Sequence, residues 1–141
     1  MLNDHATVRS TAVFDLVGPP NPPVPVQVEM RYDTRDPYAV QAAFRTGRAG
    51  WVEWVFSRDL LTEGLITSAG DGDVRIRPSD ADAEAVEIEL SSPSGHATFR
   101  AATREVSEFL SRTHEAIAPG SEDDWLDLEH ALGLLLSSDP S

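Results

Sequence analysis

A strict alternation of apolar and polar residues between positions 26 and 33 limits the fold more than any other feature of the chain. The apolar set is Val26, Val28, Met30 and Tyr32, and the polar set is Gln27, Glu29, Arg31 and Asp33. Side chains of a β-strand point alternately to its two faces, so the apolar set faces a core and the polar set faces water. The alternation therefore predicts a strand in a sheet with one buried face.

Six other segments are rich in strand-forming residues and lie between turn sequences. They cover residues 7–17, 38–45, 51–56, 73–77, 85–90 and 97–101. We expect the first four strands along the chain to form an antiparallel meander. The sequence GPPNPPVP at 18–25 is predicted to be a loop, because proline has no N–H group with which to extend a ladder.

Three helical segments accompany the strands. Ser57 is predicted to cap a short helix at 58–63, which Gly64 ends. A second helix is expected from an N-cap at Thr103 to about residue 118. The last helix is expected to end near residue 136, and its apolar residues are Trp125, Leu128, Leu132, Leu135 and Leu136. This apolar set can pack on the protein's own sheet or on another subunit.

Together these elements predict an α+β fold, with antiparallel β-sheets of about seven strands packed with C-terminal helices. The chain has 141 residues, which fits one domain. We expect that domain to span residues 1–137 and to be followed by a flexible tail at 138–141.

The composition narrows the classes of protein. The chain has no cysteine, which excludes disulfides and thiolate metal sites. It has neither a secretory signal pattern nor the roughly 20 apolar residues of a membrane-spanning helix, so a cytoplasmic protein without membrane insertion is expected. The net charge of −13 opposes binding to nucleic acids and to anionic membranes unless a local arginine patch overrides it.

A search for reactive motifs finds none. No pair of the four histidines has a metal-ligand spacing, no serine lies in a nucleophile motif, and the chain has no lysine for a phosphate-binding loop. The sequence therefore predicts no catalytic residue, no cofactor and no metal site.

Three residues are the candidates for partner binding: Trp51, Arg58 and Asp59. Trp51 and Trp54 are three positions apart on one strand, so they lie on opposite faces of the sheet. A tryptophan on an open face suits a partner anchor; the alternative is that helices or another subunit cover both faces. Arg58 and Asp59 follow the strand end, where they can recognise a partner or form an ion pair within the chain.

Five blocks of the sequence resemble the SsgA-like proteins of sporulating actinobacteria, in the same order along the chain. They are RYDTRDPYAV (31–40), WVEWVFSRDLLTEGL (51–65), GDVRIRP (72–78), LSSPSG (90–95) and FLSRT (109–113). The resemblance covers nearly the whole chain, and five blocks in order are far more specific than any one of them.

The resemblance implies a non-enzymatic protein of sporulation-specific cell division that helps recruit and position the tubulin-like protein FtsZ at future septa. An SsgA-type paralogue is the second partner that it implies. It further implies a fold related to the Whirly and guide-RNA-binding proteins, assembled as a homotrimer and located in the cytoplasm at the division septa. The fold relationship leaves one alternative open, a single-stranded nucleic-acid-binding protein, which would need a basic groove and exposed aromatic side chains.

Overall fold

The computed structural model describes residues 6–18, 21–45, 47, 50–70 and 72–137. Its strands are β1 (Thr7–Gly18), β2 (Asn21–Asp33), β3 (Ala39–Arg45), β4 (Trp51–Ser57), β5 (Val74–Pro78), β6 (Ala85–Ser92) and β7 (Gly95–Ala102). Its helices are α1 (Arg58–Gly64), α2 (Thr103–Ala116) and α3 (Glu122–Ser137). The prediction of an α+β fold with about seven strands and C-terminal helices is confirmed.

All seven strands belong to one antiparallel sheet in the order β4-β3-β2-β1-β7-β6-β5. Strands β1 to β4 are neighbours in sequence order, which confirms the predicted meander. The second half of the sheet joins the first through the pairing of β1 with β7. Strands β4 and β5 are consequently the two edges of the sheet.

The alternation at 26–33 has the predicted effect on burial. Val28, Met30 and Tyr32 are all at most 2 % exposed, and they belong to one core cluster with α2 residues such as Phe109 and Leu110. We call this helix-covered side of the sheet the inner face, and the opposite side the outer face. Burial of one face by α2 explains why period two dominates the strands.

The prediction of a loop at 18–25 is wrong for Gly18, the last residue of β1, and for residues 21–25; residues 19–20 lie outside the described part of the chain. Residues 21–25 form the start of β2, where Pro25 lies opposite Asp15 and Val24 lies opposite Leu16. Strand β3 pairs with β2 only from Val28 onward. The prolines therefore lie where one side of β2 has no neighbouring strand, and a proline whose nitrogen faces that open side removes no ladder hydrogen bond.

Helix α1 is capped as predicted, since the Ser57 Oγ accepts a hydrogen bond from the Leu60 N–H at 3.2 Å. Gly64 is the last residue of α1, whereas the sequence predicts it to be the first residue after the helix. A Cβ atom built on Gly64 would lie 2.3 Å from the Cγ2 of Ile76. Glycine is therefore required at position 64 by close packing of α1 on β5 rather than by a positive φ angle.

The two C-terminal helices differ in how they are covered. Thr103 is the first residue of α2 rather than its N-cap, and the cap position makes no side-chain hydrogen bond. In α3, Leu128 and Leu135 are 54 % and 72 % exposed, so the protein's own sheet does not bury them. The Leu136 side chain and the predicted tail at 138–141 lie outside the described residues. No helix within the described ranges is long and apolar enough to cross a membrane.

Candidate partner-binding surface

Strand β4 presents aromatic and apolar side chains on both faces of the sheet. Trp51 and Trp54 lie on opposite faces, as the spacing predicts, and Trp54 packs against the core on the inner face while Trp51 is 49 % exposed on the outer face. Val55, on the same face as Trp51, is 54 % exposed. No described helix covers the outer face, so Trp51 and Val55 form an exposed patch at the edge of the sheet together with Glu53, which lies between them.

Trp51 has a positively charged neighbour on β3. Arg45 lies directly opposite Trp51 in the ladder, and the Arg45 guanidinium carbon is 6.0 Å from the centre of the indole ring. Cation–π contacts at this distance stabilise exposed pairs by about 0.5–1 kcal/mol. The contact favours ring positions near the guanidinium, and about half of the Trp51 surface stays exposed to solvent.

Arg58 is not an exposed anchor. It is 0 % exposed, its Nη1 donates to the Thr113 and Ile117 carbonyl oxygens at 3.1 and 2.8 Å, and its Nη2 donates to the Glu122 Oε2 at 2.6 Å. Its guanidinium carbon also lies 5.0 Å from the centre of the Tyr32 ring. Arg58 therefore satisfies the last carbonyls of α2 and holds the first residue of α3. Of the two roles that the sequence leaves open for Arg58, the geometry shows the ion pair within the chain.

The buried charge of Arg58 changes the protonation of the groups around it. Burial opposes the ionised form of Glu122, but hydrogen bonds from Arg58 and from the backbone outweigh it and lower the pKa of this carboxyl. Burial raises the pKa of Tyr32 to about 12, although the charge of Arg58 acts in the opposite direction. Burial and then the charge of Arg58 lower the pKa of His114. The cluster therefore favours an ionised glutamate beside a neutral tyrosine and a neutral histidine.

Asp59 is exposed in the first turn of α1, where a negative charge interacts favourably with the helix dipole. It lies beyond the opposite end of β4 from Trp51. The strand has seven residues, and at the usual rise Trp51 and Asp59 are about 20 Å apart. The structure therefore brings Arg58 and Asp59 no closer to Trp51, and the partner-binding role of all three residues stays a prediction.

Sequence reasoning missed three residues of this region. Val55 is apolar at an outward position of a strand, a departure from alternation that the sequence does contain. Tyr38 is 42 % exposed, and its hydroxyl is hydrogen-bonded to the Asp123 carboxylate at the start of α3. Glu122 is the first of three acids in the first turn of α3, and no local pattern indicates its pairing with Arg58, 64 positions earlier in the sequence.

The charge distribution offers no basic groove within the described residues. Six arginines form ion pairs with acidic side chains, as Arg77 and Arg100 do with Glu87. Pairing of this kind neutralises the few positive charges of a chain with 24 acidic residues. A search of the described residues for clusters of metal-ligating side chains finds none.

Fold and surface together define an α+β protein that exposes a patch of Trp51, Glu53 and Val55 on an uncovered sheet face, and an exposed tryptophan is suited to a protein–protein contact. A family model described as the Streptomyces sporulation and cell division protein SsgA matches residues 26–122. The chain belongs to the SsgA family, which confirms the family that the five sequence blocks predict and supports a role in sporulation-specific cell division.

The relatives point to the SsgB branch of this family, which the same blocks also predict. The sporulation-specific cell division protein SsgB of Saccharopolyspora erythraea is 64 % identical over 141 residues, with all of both chains covered. SsgB of Streptomyces coelicolor is 45 % identical over 134 residues, which covers 94 % of this chain and 98 % of that protein.

Two solved structures are similar along most of the chain. One comes from work on SsgB mutations that correlate to longitudinal cell division during sporulation of Streptomyces coelicolor; it has a TM-score of 0.81 and 46 % identity, and covers 86 % of this chain and 96 % of that one. The other is an SsgA-like sporulation-specific cell division protein from Thermobifida fusca, with a TM-score of 0.84, 41 % identity and coverage of 94 % and 98 %.

Proposed function

We propose that this protein is a non-enzymatic regulator of sporulation-specific cell division that helps recruit and position FtsZ at septation sites in an actinobacterium. In this proposal it works in the cytoplasm at the septa, together with an SsgA-type paralogue. Family membership supplies the process, and the candidate partners are those that the resemblance implies. The observation that carries the proposal is the exposed patch of Trp51 and Val55 on the outer face of β4.

The patch suits a binding surface because of its composition and position. Aromatic side chains supply much of the energy in many protein interfaces. The contact of Trp51 with the Arg45 guanidinium favours ring positions near it, which reduces the conformational entropy that the side chain loses when a partner binds. The patch lies on a strand that is already paired with β3, so a partner can bind it without rearrangement of the sheet.

A homotrimer is part of the proposal, as the family resemblance implies. Exposed leucines of α3 support self-association, because Leu128, Leu134 and Leu135 are 54 %, 57 % and 72 % exposed. Apolar residues that one chain leaves in water are commonly covered by another copy. Multi-angle light scattering at micromolar concentration should give the mass of three chains, and a monomer mass alone contradicts this part of the proposal.

The rival function, binding of single-stranded nucleic acid, finds little support in the charge distribution. Such proteins combine a basic groove with aromatic side chains that stack on the bases. The exposed aromatic residue Trp51 is present here, but the net charge of the chain is −13. A fluorescence titration with a single-stranded oligonucleotide at physiological salt should show no appreciable binding. Tight, salt-sensitive binding would instead favour the rival.

Co-sedimentation with FtsZ polymers tests the main proposal. The purified chain should pellet with polymerised FtsZ and stay in the supernatant when FtsZ is kept unpolymerised or omitted. If the chain never pellets, even after addition of the SsgA-type paralogue, the recruitment role is wrong. If it pellets only with the paralogue, recruitment runs through an adaptor.

A further inference from the structure

The two edges of the sheet differ in whether another segment of the described chain pairs with them. At the β5 edge, Ala69 pairs with Ile76 through two backbone hydrogen bonds, with N–H to O distances of 2.8 and 3.0 Å. At the β4 edge, no described segment is paired with the side of the strand that faces away from β3. Proteins usually protect edge strands with prolines, bulges or several charges, and β4, with the sequence WVEWVFS, has one glutamate only.

The direction of the free backbone groups follows from the ladder. The Arg58 N–H donates to the Tyr38 carbonyl oxygen at 2.7 Å, and hydrogen-bonded pairs alternate with non-bonded pairs in an antiparallel ladder. Trp54 is consequently one of the residues bonded to β3. The N–H and C=O groups of Glu53 and Val55 point the other way, toward the free edge, where a further strand can bind them.

An apolar cavity of about 280 Å³ lies beside this edge on the inner face. It is lined by Phe44, Val52 and Trp54 from one end of the sheet and by Leu90, Phe99 and the β6–β7 turn from the other. Val52 lies on the inner face opposite Phe44, yet it is 43 % exposed. An inner-face valine is exposed here because the sheet has no further strand beyond β4 to cover it.

The charge of the protein indicates what such a strand should carry. The chain has 24 acidic side chains against 11 arginines, and the exposed charges on and just after β4 are Glu53 and Asp59. Charge complementarity favours a basic segment and suppresses acidic ones. The apolar cavity favours a bulky apolar side chain at one position of the segment that points inward.

We propose that the β4 edge binds an extended segment of a partner protein as an eighth strand of the sheet. The segment has apolar side chains at alternate positions, one of them bulky enough to enter the cavity beside Trp54, and basic side chains between them. Main-chain hydrogen bonds to Glu53 and Val55 supply affinity, and the cavity supplies specificity. The proposal rests on the proposed role in binding partner proteins and adds the binding mode.

A synthetic peptide tests the binding mode directly. The probe is a fluorescein-labelled heptapeptide, Arg-Val-Arg-Phe-Arg-Val-Arg, in two N-methylated versions: one methylated at the arginines and one at the three apolar residues. Because the N–H groups of an added strand alternate between its two sides, one methylated peptide should lose binding by about tenfold or more and the other should bind like the parent. NMR hydrogen exchange should show protection of the Glu53 and Val55 amides in the complex.

Substitutions on the protein give an independent measurement. Val55→Pro removes an N–H group at the free edge without removing a β3 bond, and should weaken peptide binding by about tenfold. The comparison variant is Val55→Thr, which also changes the side chain but keeps the N–H group, so Val55→Pro should bind the peptide about tenfold more weakly than Val55→Thr does. Val52→Gln at the cavity mouth makes the lining polar without adding charge, and should weaken binding of the phenylalanine peptide too. Circular dichroism identifies any variant that fails to fold, and the two methylated peptides then decide the question on the wild type alone.

Several results would overturn the proposal. The first is that the wild type binds no peptide, and the second is that the two methylated peptides bind equally. The third is that a scrambled peptide binds as strongly as the parent, because this would show that binding depends on charge attraction alone. Pairing of β4 with β4 of a second copy, seen as a dimer that Val55→Pro dissociates, also overturns it. The FtsZ experiment is separate: if FtsZ co-sediments and the peptide fails, only the binding mode is wrong.

Discussion

Arg58 and Glu122 form a buried ion pair with 2.6 Å between Nη2 and Oε2, although 64 residues of sequence separate them. The pair joins the start of α1 to the start of α3, while the other nitrogen of the guanidinium binds the carbonyl oxygens of Thr113 and Ile117 at the end of α2. One side chain thus fixes the positions of all three helices relative to one another.

Removing Arg58 should destabilise the fold strongly. Arg58→Ala leaves the Glu122 carboxylate buried without its partner, and we expect the free energy of unfolding to fall by about 3–5 kcal/mol. The matched control is Arg104→Ala, because the Arg104–Glu108 pair has side chains 88 % and 66 % exposed and should contribute less than about 1 kcal/mol. Urea denaturation of both variants measures the difference. Should Arg58→Ala keep its stability and lose partner binding, Arg58 is an anchor after all.

The stability of the protein should decrease in acid. The folded-state pKa values of Glu122 and Glu87 lie below the ordinary value of 4.5. Burial raises both pKa values, but hydrogen bonds to the carboxylates lower them by more. Arg58 donates to Glu122, and Ser79 and Arg100 donate to Glu87. The unfolded chain therefore takes up these protons first, so the stabilisation is fully present above about pH 4.5 and is lost as the pH falls through the folded-state values. Urea midpoints between about pH 7 and about pH 3 should show this fall. Glu122→Gln should flatten the acid slope, and an unchanged slope would rule out this origin.

Trp51 should matter more for binding than for folding. Trp51→Ala should weaken FtsZ binding by about thirtyfold or more, the effect of truncating an interface anchor. Because the ring is 49 % exposed, its removal should lower the melting temperature by only a small amount. The matched control is Trp54→Ala on the inner face, which should lower the melting temperature because that ring packs against the core. Intact FtsZ binding by Trp51→Ala places the interface elsewhere.

Two glycines should respond in opposite ways to a methyl group. A Cβ at Gly64 would lie 2.3 Å from the Ile76 Cγ2 and 3.1 Å from the Ile76 carbonyl carbon, so Gly64→Ala should destabilise the protein by about 1–3 kcal/mol. A Cβ at Gly133 meets nothing within 4 Å in α3, so Gly133→Ala should raise helix stability by up to about 1 kcal/mol. Thermal unfolding of the two variants checks both signs, and equal shifts would contradict the packing argument.

The strands could be predicted because their signal is local. Alternation at Val28, Met30 and Tyr32 reports directly which side of a strand is buried, and the opposite placement of Trp51 and Trp54 follows from their spacing alone. The prolines at 22–25 led to the wrong prediction of a loop, since a proline disrupts a strand only on a side where another strand pairs with it. That information lies in the extent of β3 and not in the proline sequence itself.

By itself the sequence determined the number of strands, the meander, the acidic charge and the family, because each depends on residue type and short spacings. Only the tertiary structure decided what the charged residues after β4 do. Arg58 and Asp59 are neighbours in sequence, yet one is buried against Glu122 and the other is in water. Arg58 forms its ion pair because the end of α2 and the start of α3 lie beside it. These segments are distant in sequence and meet Arg58 only in the folded chain. The sequence of β4 also could not show that this strand lies at an edge of the sheet. A strand is at an edge only when no other strand pairs with one of its sides, and the order of the strands decides that.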